Sequence, residues 1–361
     1  MPRSAITTNP ASFEGLPALT PLSWIFRGAV AAARAFRTAP APAVGRPRVI
    51  SIGNLEVGGS GKTPLALWLS DRATREGKPV AYVSRGFGGA AARGPLVTVV
   101  PAEGAAPASF AGLRVVARGA RELAAAVGDE GAVVAARAPR VHLVMARDKR
   151  RAVAVAAQLG AEIVVVDDGF QSFALARHVD VVLLDARRPL GNGHLLPAGR
   201  LREPPSALER ADVVVFNGAA DRAAIDAAKA QVARWLDPRR PAYGLRRGIA
   251  WTAVTPAATG AVSEAVLVAG LAKPLDFGST VEATGVRVVD RLVFRDHHRY
   301  TASDVAAIRA RAQGRAIVTT EKDWVKLSGF EWGTTAVWVA RLDVDLVGGD
   351  FPLSWMSEAP E

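Results

Sequence analysis

The β-branched run Val49-Ile50-Ser51-Ile52 enters a glycine-rich segment, Gly53-Asn54-Leu55-Glu56-Val57-Gly58-Gly59-Ser60-Gly61-Lys62-Thr63. An apolar-periodic stretch containing Leu65, Leu67, Trp68 and Leu69 follows. Strand, glycine turn and helix N-terminus in that order make a phosphate-binding loop. Glycines let successive backbone N–H groups point inward, a lysine adds a point charge, and a threonine hydroxyl suits Mg²⁺. The helix behind the loop adds a partial positive charge at the same spot. Gly58, Gly59, Ser60, Gly61, Lys62 and Thr63 are therefore the expected phosphate-binding residues. The usual spacing wants a glycine five residues before Gly61, and this chain has Glu56 there. These residues imply a bound nucleotide and leave its use open.

The pattern downstream repeats strand and helix. Continuous apolar runs at Pro79–Ser84, Val141–Met145, Ile163–Val166, Val179–Leu184 and Val213–Phe216 alternate with helical stretches such as Asp148–Leu159 and Ala219–Leu236. Such strands, buried on both sides, indicate a doubly wound, mostly parallel α/β sheet of the P-loop NTPase type. Beyond about Pro241 a second, smaller α/β pattern begins, with strands at Ala265–Val268, Val286–Phe294, Ala316–Thr319 and Ala336–Val339. A chain of 361 residues is long for one core, so two domains are expected. The expected division is an amphipathic helix and linker over 1–40, a nucleotide-binding domain over 41–240 and a smaller C-terminal α/β domain over 241–361.

Composition excludes some chemistry. With no cysteine, thiolate zinc sites, disulfides and cysteine nucleophiles are ruled out. The net charge of +11 favours anionic partners, but the arginines are scattered without a basic-aromatic stripe, so no nucleic acid is expected. No run of 18 apolar residues exists, so no spanning helix is expected. From Leu22 to Phe36, however, Leu22, Ile25, Phe26, Ala29, Ala33 and Phe36 fall on one helical stripe with Arg27 and Arg34 beside it. A helix of this kind lies in a bilayer interface or packs on its own domain.

A second strong signal is Ile163-Val164-Val165-Val166-Asp167-Asp168, which puts two carboxylates at the carboxyl end of a buried strand. Ligands of open α/β sheets bind at that edge, and an acid there completes a Mg²⁺ shell opposite Thr63. One direct and one outer-shell aspartate suits the ion. Val127-Gly128-Asp129-Glu130, read alone, is a solvated turn after a helix at Ala120–Ala126. His297 and His298 lack the further ligands of a zinc site. The loop Leu195–Pro205 carries Arg200 and Arg202, fit for clamping phosphate or for an ordinary basic loop. Arg85, in Ser84-Arg85-Gly86-Phe87-Gly88, lies near the same sheet edge.

Taken in order, these motifs resemble those of tetraacyldisaccharide 4'-kinases, the lipid A 4'-kinases of Gram-negative bacteria. The likeness runs from the amphipathic helix to Thr320-Glu321-Lys322-Asp323 and takes in Gly128-Asp129-Glu130, Asp167-Asp168-Gly169-Phe170-Gln171 and Asp296-His297-His298. In that family the place of Glu56 is not a glycine. The resemblance implies transfer of the ATP γ-phosphate to the 4'-hydroxyl of a tetraacylated disaccharide 1-phosphate, with ATP and Mg²⁺ as cofactors. It implies a monotopic enzyme on the cytoplasmic face of the inner membrane, with the acylated lipid as partner and no obligate protein partner. By the same resemblance, Lys62 contacts the β- and γ-phosphates, Thr63 with Asp167 and Asp168 serves Mg²⁺, and Asp129 with His297 polarises the sugar hydroxyl. Arg85, Glu130 and Arg202 are the expected substrate contacts. The chain departs from the family at Gly131, where proline is usual and a looser loop is expected, at Arg200, also a proline position, and at Ser172-Phe173, where a basic pair is usual. An ATPase switch that controls a partner protein is the competing class, and Val57 stands where such switches carry lysine.

Overall fold

The structure, a computed structural model, describes residues 19–37, 47–58, 61–86, 88–105, 113–118, 123–271 and 274–351. Gly59, Ser60 and, from the expected helix-and-linker segment, residues 1–18 and 38–40 lie outside the described residues. The first elements are helix α1 (Thr20–Arg37), β1 (Arg48–Asn54), α2 (Lys62–Arg75), β2 (Val80–Ser84), β3 (Val97–Val100) and β4 (Leu113–Val115). Then come α3 (Leu123–Arg137), β5 (His142–Met145), α4 (Lys149–Gln158), β6 (Ile163–Asp167), β7 (Val179–Asp185), β8 (Val213–Asn217) and α5 (Arg222–Val232). The remainder is β9 (Ala242–Ala253), β10 (Glu264–Ala269), α6 (Pro274–Glu282), β11 (Arg287–Val293), α7 (Ala302–Ala312), β12 (Ala316–Thr320), α8 (Glu321–Leu327) and β13 (Val337–Val347).

All described strands share one sheet, in the order β11-β10-β12-β13-β9-β8-β7-β1-β6-β2-β5-β3-β4. β1 lies between β7 and β6, parallel to both, with Ile52 opposite Asp167. Every residue of β1 and β6 is buried, as their unbroken apolar runs require. α2 and α3 cover one face, where Ile50, Ile52, Leu65, Leu69 and Val134 share a core. α4 covers the other beside Val49 and Val164, and α5 lies on that of β8. This is the expected doubly wound, mostly parallel architecture.

The two α/β patterns meet in a feature the sequence conceals. β9 begins parallel to β8, with Val214 opposite Ala242, and continues antiparallel to β13 from Gly244–Val347 to Ala253–Trp338. The strands before and after residue 240 are thus hydrogen-bonded into one sheet through this two-stranded ribbon. β9 escapes a search for apolar runs because Arg246, Arg247 and Gly248 interrupt it where it leaves the core.

Gly128 (φ 81, ψ 166) breaks α3, so Asp129 and Glu130 open its second segment. The expected turn after residue 126 is therefore a helix start. Gly131, expected to loosen this loop, is helical and closely packed instead: a Cβ there would come within 2.8 Å of Met145. α1 presents Ser23, Phe26, Val30 and Ala33, spaced along one face, to the rest of the molecule, while Leu22, Ile25, Ala29 and Phe36 are exposed. Part of the apolar stripe thus packs on the protein and the rest faces outward.

Candidate active site

α2 starts at Lys62 with Gly61 (φ 92) as its N-cap; no side chain caps it and no acid occupies its first turn. A helix end of this kind, with its partial positive charge and no acid beside it, suits an anion. Gly61 is required by its positive φ, and the flexible end of Arg247 lies 2.6 Å from where a Cβ would stand. The Lys62 ammonium donates to Asn54 Oδ1 at 3.0 Å and lies 3.4 Å from Asp168 Oδ1. Glu56 sits 4.0 Å from Arg200, and Arg200 donates to the Val57 carbonyl at 2.7 Å. Two departures from common patterns thus meet at the entrance to the loop. Burial pushes the Glu56 carboxyl up, opposed by Arg200.

Thr63 Oγ1 and the Tyr82 hydroxyl both donate to Asp167 Oδ2, at 2.8 and 2.6 Å. Asp167 Oδ1 is buried with no hydrogen-bond partner among the described residues. Burial pushes this carboxyl above its ordinary value, against the hydrogen bonds from Tyr82 and Thr63 and the charges of Lys149 and Lys62. An orphaned carboxylate oxygen beside a threonine hydroxyl is a hard, all-oxygen donor set, and it fits Mg²⁺. Asp168, in the left-handed region (φ 53), turns the other way and accepts both Arg202 terminal nitrogens, at 2.8 and 3.1 Å. Burial alone would raise its carboxyl, but Arg202, Lys62 and Lys149 outweigh that and hold it well below the usual carboxylate range. Arg202 also bonds Asn54.

The site contains residues that the sequence did not single out. Lys149, at the first position of α4, donates to the backbone carbonyls of Asp167 and Asp168. Burial lowers its ammonium to about 8, although Asp168 and Asp167 pull it up. It follows the carboxyl end of β5, so the rule that ligands bind at that edge was the signal available. Gln171 donates to the Asn54 carbonyl at 3.1 Å and to Glu203 at 2.9 Å.

A second cluster joins the two halves of the chain. His297 Nδ1 lies 3.0 Å from Asp129 Oδ2, although 168 residues separate them. His297 has φ 59, and it and Asp168 are two of the three described non-glycine residues with positive φ. Strain of this kind concentrates at functional sites. Lys326 reaches the same Asp129 oxygen at 3.1 Å, and Lys322 pairs with Glu130 at 3.2 Å. At the far end of α3, Arg137 meets Glu321 at 3.6 Å and Asp343 at 2.9 Å. Ion pairs thus tie α3 to α8 at both ends.

A cleft of about 1670 Å³ joins these parts. Gly58, Gly61, Lys62, Thr63, Asp167, Asp168 and Arg202 line it, as do Arg85 and Glu130. Asp129 and His297 are not in its lining and meet beside it. The same cleft extends to Ala33 of α1. Ser23 of that helix donates to the Leu195 carbonyl at 2.9 Å and accepts from the Ala198 N–H at 3.2 Å, which docks α1 on the loop carrying Arg202.

Comparison with known proteins points to one family. A family profile described as Tetraacyldisaccharide-1-P 4'-kinase matches residues 16–352. The tetraacyldisaccharide 4'-kinase of Anaeromyxobacter dehalogenans (strain 2CP-C) is 40% identical over 331 residues, covering 86% of this chain and 80% of the relative. That of Geobacter sulfurreducens is 36% identical, covering 78% and 74%. The crystal structure of LpxK from Aquifex aeolicus in complex with ATP superposes with a TM-score of 0.66 at 25% identity, covering 91% of this chain and 94% of that one. A phosphate loop, a paired aspartate at the neighbouring strand end and a match over nearly the whole length lead to one conclusion: this chain belongs to the tetraacyldisaccharide-1-P 4'-kinase family.

Proposed function

We propose that Asp129 and His297 form the base of this enzyme, that the residues around Lys62 and Thr63 receive ATP, and that α1 rests on the membrane holding the acceptor. The reaction follows from family membership. The chain is a lipid kinase that uses ATP and Mg²⁺ to phosphorylate the 4'-hydroxyl of tetraacyldisaccharide 1-phosphate in lipid A biosynthesis. The hydroxyl oxygen bonds to the γ-phosphorus as the bond to the β,γ-bridging oxygen breaks. ADP departs with that electron pair, and the hydroxyl proton passes to the Asp129–His297 pair.

Phosphoryl transfer is mostly positioning and charge neutralisation. Lys62 and the N-terminus of α2 hold the β- and γ-phosphates in this reading. Thr63 and Asp167 would hold Mg²⁺, which when bound neutralises charge on the phosphate oxygens. Asp168 keeps Arg202 and Lys62 beside the phosphates, and Arg85 and Glu130 face the acceptor from the cleft wall. Asp129 comes from the 41–240 portion and His297 from the 241–361 portion, so we treat these as two lobes whose approach assembles the base.

No described helix is long and apolar enough to cross a membrane. A peripheral position on the cytoplasmic face of the inner membrane suits the amphipathic α1. The observation that carries the proposal is the cleft itself, because it runs from Lys62 and Thr63 to Ala33 of that helix. Incubating the protein with γ-labelled ATP and tetraacyldisaccharide 1-phosphate, then extracting lipid, tests it. Label should enter the lipid phase; unlabelled lipid from protein that binds ATP would defeat it. The switch reading predicts ATP consumption that needs a protein partner and ignores the lipid.

A further inference from the structure

Lys326 is a nearly buried cation, with a side chain 10% exposed, and no step so far uses it. α8 fixes it from one side. Asp323, one turn earlier and fully buried, accepts from the Gly270 N–H at 3.0 Å and from Thr320 Oγ1 at 2.8 Å through Oδ2, and from the Tyr300 hydroxyl at 2.9 Å through Oδ1. That Oδ1 lies 3.6 Å from the Lys326 ammonium, which also stands 5.6 Å from the centre of the Tyr300 ring. Burial and the adjacent Asp323 push the Tyr300 phenol up, so it remains a donor.

The free side of the ammonium points at Asp129 Oδ2, 3.1 Å away, the same oxygen that faces His297. Two donors on one oxygen leave Asp129 Oδ1 without a hydrogen bond among the described residues. The other charges near the pair are Asp296, 3.9 Å from His297 Nε2, and Glu130 with its partner Lys322. The turn Ala90–Ala92, packed on α3, brings no charge. Lys326 is therefore the one cation among the described residues in direct contact with Asp129 besides the imidazole.

We propose that Lys326 is a positioning residue for the transfer: clamped by Asp323, it anchors the Asp129 carboxylate and holds it toward His297. This rests on the reading of Asp129 and His297 as the base. A lysine has three donors and no acceptor, so it serves the carboxylate only as a charged anchor. Without Lys326 the carboxylate loses that anchor, so turnover should fall while ATP binding persists.

The test is kcat, KM and Tm of Lys326→Met, Lys326→Gln and Lys326→Arg, with Asp129→Asn alone and combined with Lys326→Met. Met and Gln should lower kcat about tenfold or more. The KM for ATP should stay near wild type, Arg should restore kcat, and Lys326→Met should add nothing to Asp129→Asn. A near-normal kcat in whichever of Met or Gln folds would overturn the inference. So would a loss with a lowered Tm that Arg fails to restore, because that pattern is structural. Near-normal turnover in Asp129→Asn would instead bring down the base reading beneath it.

Discussion

The outer face of α1 yields a quantitative expectation. Leu22, Trp24, Ile25 and Phe36 are 50%, 70%, 70% and 89% exposed on a helix that carries no acidic residue. Burying a side chain of this size is worth about 1.5–3 kcal/mol. Scaled by exposure, Ile25 and Phe36 together have about 2.5–5 kcal/mol to gain by leaving water. An interface buries such a face only in part, so Ile25→Ser with Phe36→Ser should lose roughly half of that, about 1–2.5 kcal/mol. The expected consequence is a weakening of vesicle partition by about 5- to 60-fold. Neither residue belongs to the inner face formed by Ser23, Phe26, Val30 and Ala33, so the melting temperature should hold. Cosedimentation with phosphatidylglycerol-containing and purely zwitterionic vesicles reads the partition. Arg27→Gln should weaken binding only to the anionic ones, by about 1 kcal/mol, and added salt should mimic it. Activity on acylated acceptor in mixed micelles should fall with partition, mainly through its KM. If the double variant sediments with vesicles as wild type does, α1 is not the membrane contact and the reasoning fails.

Further outcomes follow from the cleft. Asp129→Asn and His297→Ala, made singly, should each cut kcat by about 10²–10⁴-fold while ATP binding persists, and near-normal turnover in either would break the pair assignment. Arg202→Met strips Asp168 of its bidentate partner. A charge-assisted pair with one side 43% exposed is worth about 1 kcal/mol after screening, so the melting temperature should drop by only a few degrees. The KM for ATP should rise about tenfold or more, since Lys62 and Asn54 lose the same anchor; an unchanged KM would show that Arg202 does not organise the phosphate site. For pH, burial raises the Asp167 carboxyl, so its contribution to stability is present below the ordinary carboxylate range and is lost as pH rises through the raised value. Mg²⁺ needs the anion, so the rise in melting temperature given by MgATP over metal-free ATP should grow as pH increases above the ordinary carboxylate range, a trend absent in Asp167→Asn. A flat response in wild type would contradict the assignment of Asp167.

Local signals announced the phosphate half of the site. Lys62 and Thr63 sit next to one another, and Asp167 ends an apolar run whose neighbour in the sheet is the strand feeding the loop. Short-range chemistry and strand burial were enough to bring them together. The other half was legible only by likeness to relatives, because its parts are scattered. Asp129 follows a glycine that reads as a turn, and His297 is one of two adjacent histidines in a polar stretch. Their meeting depends on the β9–β13 ribbon, of which only the apolar start of β13 was readable as a buried strand. Lys326 shows the same limit more sharply. A lysine in a short helix reads as solvent-facing, and only packing of α8 on α3 turns it inward. Asp168 separates these two levels. Its acidity and its position at the sheet edge were readable, but the left-handed backbone that aims it at Arg202, 34 residues downstream, was not. The carboxylates therefore divide by geometry: in the proposed site Asp167, with its orphaned oxygen beside Thr63, would hold the metal directly, and Asp168, already occupied by Arg202, would order the cations around the phosphates.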